Sequence, residues 1–335
     1  MSSTGQHAAR KVPSGFAIGI DVGGTKIAGG LVDLAKGSVA HPRRVPSRTE
    51  RSGMAVLADV KALLAELVDA ARDEGVPLVG AGVGVAELVD ARGGVFSGYR
   101  IAWNGIDVQG LLSEVIETRV EADVRAAALA EAIHGAGRPF RHFLYLSVGT
   151  GISTTLVQDG KPYPGSRGAA LVLANGPTTF HCPACGTDSR YILEDFASGP
   201  ALAARYAEAT GASGLDAEEV LRRAEAGDAM ARSVVESAAT ALGSAVGLLV
   251  NSLDPEAIVI GGGLGSAPGR YREVLAASVR AHLWQDDVRT MPVLTAELGT
   301  NAGIVGAAAT MALRKREESR FRPAPPQARG AAASN

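Results

Sequence analysis

The chain has 335 residues, a formal net charge of −2 and a pI near 6.3. A chain of this length can bury a large core and usually divides into two lobes. Its scattered Lys and Arg residues argue against nucleic acid or an anionic membrane as the main partner, and no apolar run approaches the roughly 20 residues that span a bilayer.

Both ends of the chain are predicted to be loose. The first residues lack the apolar centre of a secretory signal, so 1–14 are expected to form a disordered tail. Residues 317–335 are rich in Pro and Ala, lack periodicity and are expected to form a second one. Two cysteines, Cys182 and Cys185, are too few for a disulfide framework. We therefore expect a cytoplasmic protein.

Short apolar strands alternate with longer amphipathic segments, which is the pattern of an α/β fold. In the first half we predict strands over 16–20, 26–33 and 79–88, and a helix over 54–75. The second half continues with a helix over 125–135, strands over 143–151 and 153–160, a long helix over 228–255, a strand over 256–263 and a final helix over 301–315.

A predicted strand runs into a glycine-containing turn three times, in the stretches IGIDVGGTK, LYLSVGTG and AIVIGGGLG. Backbone amides in such turns can cradle phosphates, and Thr25 and Lys26 add a hydroxyl and a charge. None of the three fits a Walker A loop or a dinucleotide fingerprint. An ordinary hairpin turn is the alternative for the first stretch alone, but three turns spread over both halves favour a nucleotide held between two lobes.

With these turns, the chain resembles the ROK family of bacterial sugar kinases and transcriptional repressors over about residues 16–315. The resemblance implies an α/β fold of two actin-like (ribonuclease H-like) domains around a central nucleotide and substrate cleft. It implies an N-terminal domain of 15–122 plus 301–316 and a C-terminal domain of 123–300. Since no helix-turn-helix segment precedes the first strand, the kinase branch fits better than the repressor branch.

The resemblance also implies ATP and Mg²⁺ as cofactors. DVGGTK looks like the family's first phosphate loop, GTG like the second, and the GGG stretch like the adenosine side. Asp21 would lie near the metal and the phosphates, with a turn-forming aspartate as the alternative. The implied cofactor-binding residues are Asp21, Gly23, Gly24, Thr25, Lys26, Gly149, Thr150, Gly151, Gly261, Gly262 and Gly263.

The catalytic base of the family lies in an E-N-D-A-N-A-A-A-like segment, which reads EADVRAAALAE here. Asp123 stands in the position of the aspartate, where it would accept the proton of the attacking hydroxyl. From the residues alone, the alternative is that Asp123 caps a helix that begins near Val124. The register of the resemblance favours catalysis.

The acceptor side departs from the family's pattern. Sugar-phosphorylating members have G-x-x-G-E-x-G-H where this chain has GAALVLAN, so Val172 and Asn175 replace a glutamate and a histidine. The asparagines before and after the base position are replaced by Ala122 and Arg125. Glu194, in LEDFASG, is what remains of the family's outer hydroxyl-binding set.

Two new charges, Glu87 and Arg100, fall in the same loop region. They either grip an amine, a ketone or an acidic group of the substrate, or pair with each other. The expected substrate-binding residues are therefore Glu87, Arg100, Ala122, Asp123, Val172, Asn175 and Glu194.

Loss of hydroxyl-binding groups predicts a poor fit for glucose, since sites built to bond hydroxyls discriminate strongly by them. We expect an ATP-dependent kinase for a hydroxyl, expected to be primary, of a sugar-like molecule. A C7-cyclitol of the valiolone or valienone type, or an aminosugar such as kanosamine, fits better than glucose, and both belong to secondary metabolism. A catalytically inactive sensor and an ordinary hexokinase are the alternatives. A homodimer is expected, because dimers are common in the family.

Zinc is a doubtful cofactor. Many ROK proteins hold Zn²⁺ with a histidine and three cysteines, whereas HCPACG offers His181, Cys182 and Cys185 with no third cysteine. A structural zinc site needs four protein ligands. Two reduced thiols in a loop without metal are the alternative.

Overall fold

The computed structural model describes residues 14–181 and 184–320. These residues form two α/β lobes, each built on a five-stranded mixed sheet. The predicted α/β class is confirmed. Most of the two predicted tails lies outside the described residues. Residue 14 is described, and residues 317–320 continue the last helix.

The first lobe contains five strands and three helices. They are, in chain order, β1 (Phe16–Val22), β2 (Lys26–Asp33), β3 (Ser38–Pro46), α1 (Gly53–Asp73), β4 (Leu78–Val85), α2 (Val108–Ser113), β5 (Thr118–Ala122) and α3 (Asp123–His134). The strand order is β3-β2-β1-β4-β5. β1 pairs with β2 in an antiparallel manner, whereas β4 and β5 run parallel to it.

The second lobe contains the remaining elements except the last helix. They are β6 (His142–Val148), β7 (Ile152–Gln158), β8 (Lys161–Pro162), β9 (Pro177–His181), β10 (Asp188–Ile192), α4 (Glu194–Ala197), α5 (Gly199–Thr210), α6 (Ala217–Glu225), α7 (Ala229–Leu253), β11 (Ala257–Gly261), α8 (Gly263–Ser266), α9 (Arg270–Ala281) and β12 (Val293–Thr295). The large sheet of the second lobe has the order β12-β11-β6-β7-β8, and β9 and β10 form a small hairpin. The last helix, α10 (Ala302–Arg320), returns to the first lobe.

The two large sheets have the same topology. In each, an antiparallel hairpin is followed by two parallel strands on the other side of its first strand. The first glycine turn joins β1 to β2, and the second joins β6 to β7. Each turn is closed by a backbone bond, from Gly23 N–H to Lys26 O at 3.0 Å and from Gly149 N–H to Gly151 O at 2.9 Å. The two predicted phosphate loops therefore occupy equivalent positions in the two lobes.

The first sheet is covered on both faces. α1 begins at its N-cap Ser52 and packs an apolar face that includes Leu64 and Leu67 onto Ile18 and Ile20. Residues of α10 cover the opposite face. Burial on both faces explains why β1 and β4 are nearly continuous apolar runs.

α10 lies against the backbone of the first sheet. A Cβ atom at Gly19 would lie 2.0 Å from the carbonyl oxygen of Ile304, and one at Gly82 would lie 1.7 Å from that of Ala307. Gly306 of α10 approaches the backbone of α3 in the same way. These glycines let the helix pack more closely than any side chain would allow.

Two details differ from the sequence-based predictions. α3 begins at Asp123, two residues earlier than predicted, and packs against α10 as well as against β6 and β7. The predicted domain boundary at 122/123 therefore falls where a helix touches both lobes. α7 is also apolar and long enough to cross a membrane, which the sequence analysis did not predict. Half of its apolar window is buried, and its buried residues belong to the second lobe's core.

Candidate functional site

Two carboxylates meet at the edge of the first sheet. Asp21 lies near the end of β1, and Asp123 follows β5 directly. β4 separates the two strands, and at this level it carries Gly84, which pairs with Asp21. A Cβ atom at Gly84 would lie 3.7 Å from the Asp123 Cα and 3.8 Å from an Asp21 carboxylate oxygen. The two acids therefore flank the same residue of β4.

Burial makes both acids weaker than usual. Burial, together with the neighbouring charges of Asp21 and Glu87, raises the pKa of Asp123 to about 7, against a backbone bond from Val124 and the charge of Arg125. Burial also raises the pKa of Asp21 to about 6, partly opposed by Lys26. A carboxylate with a pKa near 7 is suited to accept a proton at neutral pH.

Asp123 does not cap α3. The N-cap position is Ala122, which makes no side-chain bond. The Asp123 carboxylate instead accepts the N–H of the adjacent Val124 at 2.6 Å, whereas an N-cap would bond an amide two or three residues on. The capping alternative is therefore wrong.

A cavity of about 340 Å³ opens beside the two acids. Its volume lies within the usual range for small-molecule sites. It brings together the acids, Lys26 of the first turn and the glycines of the third turn. The lining residues are Asp21, Lys26, Asp123, Val124, Ala127, Tyr145, Ser147, Ser153, Gly261, Gly262, Gly263, Ser266, Ala296, Gly299, Thr300, Ala302 and Gly303.

The second glycine turn lies beside this cavity rather than in its wall. A Cβ atom at Gly149 would lie 3.6 Å from the backbone nitrogen of Gly263, so the second and third turns face each other. Thr150 is exposed. The carbonyl of Gly149 accepts the N–H of Gly199 at 2.9 Å, so α5 supports this turn from behind.

The cavity wall suits a nucleoside triphosphate. Gly262 has a φ of 79°, and a side chain there would meet the backbone of Val148, so the third turn requires glycine. Gly263 faces open space. Lys26 supplies a positive charge for phosphate oxygens, and Asp21 is an oxygen ligand of the kind that Mg²⁺ prefers. Gly23, Gly24 and Thr25 form the turn that precedes Lys26.

A larger concavity of about 740 Å³ lies elsewhere, between β10 and α7. Tyr191 and Phe196 line it together with residues of α7. It contains no residue of the three glycine turns and neither of the paired acids, so we place the functional site at the smaller cavity.

Glu87 is occupied by its own loop. Its Oε1 accepts the backbone N–H groups of Arg100 at 2.6 Å and Ile101 at 2.7 Å. Its Oε2 accepts the N–H of Tyr99 at 3.0 Å and the hydroxyl of Ser97. The side chain is buried. Glu87 therefore shapes the loop of residues 97–101 and offers no free oxygen to a substrate.

Arg100 reaches across the cleft to the other lobe. Its Nη2 donates to Glu194 Oε1 at 3.0 Å, and Glu194 Oε2 accepts the N–H of Ile152 at 2.7 Å. The alternative in which the side chains of Glu87 and Arg100 pair with each other is wrong, because only the backbone of Arg100 bonds Glu87. The structure brings Arg100 and Glu194 together instead.

Arg125 clamps two loops. Its guanidinium donates to the carbonyl of Gly168 at 2.9 Å and to that of Val89 at 2.6 Å, and its Nε donates to Glu121 at 2.7 Å. The side chain is buried. Arg125 thus ties the segment after β4 to the segment after β8, and Ala122 is buried beside it.

Val172 and Asn175 do not join the acids. Both are exposed, Val172 by 45%, and neither lines the cavity. Their loop is fixed by the Thr154 hydroxyl, which donates to the carbonyl of Leu171 at 2.5 Å. Their predicted substrate contacts therefore remain predictions.

Two of the candidate zinc ligands, His181 and Cys185, lie at the tip of the β9–β10 hairpin. His181 Nδ1 is 2.7 Å from Asp188 Oδ1, and both side chains are exposed. Cys182 lies outside the described residues, and Cys185 is exposed. Within the described ranges, no three His, Cys, Asp or Glu side chains lie close enough to hold a metal. The residues described there do not by themselves fit a structural zinc.

Sequence reasoning missed Tyr145 and Ser147, which line the cavity from β6. Alternation along a strand puts residues two apart on one face, and this signal was available in FLYLSV. It also missed Glu131, a buried carboxylate that accepts the N–H groups of Ala136, Glu297 and Leu298. No local signal identifies it, because two of its partners lie more than 160 residues away along the chain.

Comparison with known proteins identifies relatives along most of the chain. A family model described as the ROK family matches residues 17–314. A glucokinase of Streptomyces coelicolor is 29% identical over 88% of this chain and 96% of its own. An N-acetylmannosamine kinase of Salmonella heidelberg is 30% identical over 87% of this chain and 96% of its own.

Solved structures agree. A ROK family glucokinase from Streptomyces griseus, in complex with glucose and AMPPNP, superposes with a TM-score of 0.75 and 28% identity over 88% of this chain and 99% of its own. A ROK hexokinase from Thermus thermophilus superposes with a TM-score of 0.74 and 32% identity over 90% of this chain and 99% of its own. The expected arrangement of two actin-like lobes is confirmed.

Proposed function

We propose, from the premise that this chain belongs to the ROK family, that it phosphorylates a sugar-like molecule whose ring has fewer or differently placed hydroxyls than a hexose. The chain is an ATP-dependent sugar kinase of that family, as its kinase relatives indicate. The proposal about the acceptor rests on one observation. On the acceptor side of the cleft, the side chains of Glu87 and Arg125 form hydrogen bonds with the protein's own backbone and so are not free to bind sugar hydroxyls.

Asp123 is the proposed general base. Its carboxylate lies next to Asp21 in the wall of the cavity, and burial holds its pKa near 7. It accepts the proton of the acceptor hydroxyl as that oxygen attacks the terminal phosphorus of ATP. The raised pKa makes it a stronger base than an exposed aspartate, at the cost of partial protonation below pH 7.

The three glycine turns and Lys26 are proposed to hold ATP. The first two turns come from opposite lobes, and the third faces the second, so phosphates between them would contact both halves of the molecule. Mg²⁺ bound near Asp21 would neutralise phosphate charge. The lobes would exclude water from the site when they close around both substrates.

The acceptor is proposed to be a C7-cyclitol of the valiolone or valienone type, or an aminosugar such as kanosamine. A hexose site needs side-chain acceptors for several hydroxyls. Here Glu87 is saturated, Arg125 replaces an expected amide, and Val172 is an apolar residue at an expected carboxylate position. The phosphorylated group would be a primary hydroxyl, which can reach a base beside a narrow cavity.

An ADP-release assay tests this proposal. The panel contains glucose, mannose, fructose, N-acetylmannosamine, glucosamine, kanosamine, 2-epi-5-epi-valiolone and valienone. We expect kcat/KM for the true acceptor to exceed that for glucose by at least about 10³. Comparable kcat/KM for glucose would identify an ordinary glucokinase. Silence across the panel with ATP still bound would favour a catalytically inactive sensor.

The setting of the enzyme is also a proposal. We infer a cytoplasmic homodimer that meets small molecules rather than nucleic acid or membrane. The low net charge supports this. Light scattering of the purified chain measures the dimer, and zinc analysis of the same sample tests whether the β9–β10 hairpin holds a metal.

A further inference from the structure

Charged groups on the acceptor side differ in how much of their hydrogen-bonding capacity the protein itself uses. Glu87 accepts four hydrogen bonds from its own loop. The Arg125 guanidinium is bonded to two carbonyls and to Glu121. Neither has room for a ligand. Among the described residues that were predicted to bind the acceptor, Arg100 and Glu194 form a charged pair with access to the cleft.

Arg100 has most of its donors to spare. A guanidinium carries five N–H groups, and the bond from Nη2 to Glu194 is the hydrogen bond that its side chain makes with the described residues. The side chain is 46% exposed. Glu194 is only 16% exposed and already accepts from Arg100 and Ile152. The pair therefore presents donors to the cleft rather than acceptors.

Arg100 lies between the lobes, beside the first and second glycine turns. A Cβ atom at Gly24 would lie 3.9 Å from Arg100 Cδ, and one at Gly151 would lie 3.6 Å from Arg100 Nη2. The carboxylate of Glu87, which holds the backbone of Arg100, lies close enough to Asp123 to raise its pKa. The ion pair of Arg100 with Glu194, the residue that the resemblance assigns to hydroxyl binding, places the guanidinium on the acceptor side of the cleft.

We propose that Arg100 determines acceptor specificity by donating to a carbonyl oxygen on the acceptor ring. This inference rests on the proposed function and narrows it, since it selects a ketone-bearing cyclitol over an aminosugar. A guanidinium can only donate, so a carbonyl oxygen is its natural partner. The ammonium of an aminosugar also only donates, so it cannot accept a hydrogen bond from Arg100. A hydroxyl at the same position can accept a hydrogen bond from Arg100, but its own O–H then needs a different partner.

Binding measurements test this directly. Wild type, Arg100→Met and the control Arg43→Met are titrated calorimetrically with three probes in the presence of a non-hydrolysable ATP analogue and Mg²⁺. The probes are 2-epi-5-epi-valiolone, the epimeric alcohols that borohydride makes from it, and kanosamine. Arg43 is a matched control because it is 44% exposed and pairs with Glu66 on the surface.

In the wild type and in Arg43→Met, the ketone should bind at least about 10-fold more tightly than the alcohols, since removing the matched partner leaves polar groups unpaired. In Arg100→Met that ratio should fall to near one. Arg100→Lys, which keeps a charge but loses the planar fork, should retain part of the preference and guards against misfolding of the methionine variant.

Three results overturn the inference: equal binding of ketone and alcohols by the wild type, a preference that survives in Arg100→Met, or no binding of the ketone at all. ADP release separates this inference from the proposed function. Arg100-dependent binding of the ketone without ADP release would refute the kinase acceptor and keep the specificity residue. ADP release with no Arg100-dependent preference would do the reverse.

Discussion

The two sides of the cleft use polar residues in opposite ways. On the nucleotide side, Asp21, Lys26 and Asp123 line an open cavity together with side-chain-free glycines. On the acceptor side, Glu87 and Arg125 turn inward and bond the backbone of their own loops. The difference teaches that a charge in a substrate loop can serve loop architecture, and that a count of its hydrogen-bond partners decides which role it has.

The largest effect should come from the base. Asp123→Ala should lower kcat by about 10² to 10⁴, the usual share of general base catalysis, because the proposed proton acceptor is removed. Affinity for an ATP analogue should change less than about twofold, since Asp123 does not belong to the glycine turns that are proposed to bind the phosphates.

Steady-state ADP release and calorimetry measure the two quantities. Asp69→Ala, which breaks a surface ion pair with Arg72, is the control for loss of an aspartate. Near-normal turnover by Asp123→Ala would show that this residue is not the base. The contrast between polar groups that act in the cavity and polar groups that only hold loops would then lose its main example.

A second prediction concerns the saturated carboxylate. Glu87→Gln keeps the shape but places an amide NH₂ against donors, which should lower the free energy of unfolding by about 2 to 4 kcal/mol. The KM of the acceptor should rise because the loop of 97–101 loosens, while the affinity for ATP stays the same.

Urea unfolding and substrate kinetics check this second prediction. Glu66→Gln, at an exposed ion pair with Arg43, should cost less than about 1 kcal/mol. Equal small costs for the two variants would show that Glu87 is not a structural carboxylate, and the contrast between the two sides would then be lost.

The smallest predicted effect is a stability change that depends on pH. The pKa of Asp123 is about 7 in the folded protein and near 3.8 when the chain is unfolded, so the folded state binds the proton more tightly. Its contribution to stability is present below about pH 4 and is lost as pH rises to about 7. Asp123→Asn should therefore raise the free energy of unfolding at pH 8 by about 2 kcal/mol, and by little at pH 4.

Thermal unfolding at the two pH values measures this difference. In the wild type, kcat/KM for the acceptor should rise with pH and level off above about 7, since the base must lose its proton. If Asp123→Asn were equally stabilised at both pH values, the gain in stability would not come from removing a buried carboxylate charge.

Much of the fold was predictable because the periodicity of the sheets is simple. The predicted strand over 26–33 coincides with β2, and the apolar run of 79–88 contains most of β4. β3 was missed because it is an edge strand whose residues are mostly exposed and include Pro42. β5 was missed because TRVEA has only five residues and alternates with charge.

The site was predictable where its geometry is local. Asp21, Lys26 and the glycine turns follow strands directly, so strand ends place them at one edge of a sheet. The partners of Glu87 and Arg100 were not predictable, because a carboxylate ten or more residues from its donors can be paired only by a folded loop. The bond between Arg100 and Glu194 spans 94 positions of the chain, beyond any pattern in a single sequence.

The contact of α10 with the first sheet has a consequence for how the protein is made. The strands that it covers include residues 17–32, and its own covering residues include 304–312. A ribosome therefore finishes both sheets before it supplies the helix that seals the first one. Until then, one apolar face of the earliest strands stays open to water or to chaperones. The nascent chain should acquire protease resistance late and in one step, when this last helix docks.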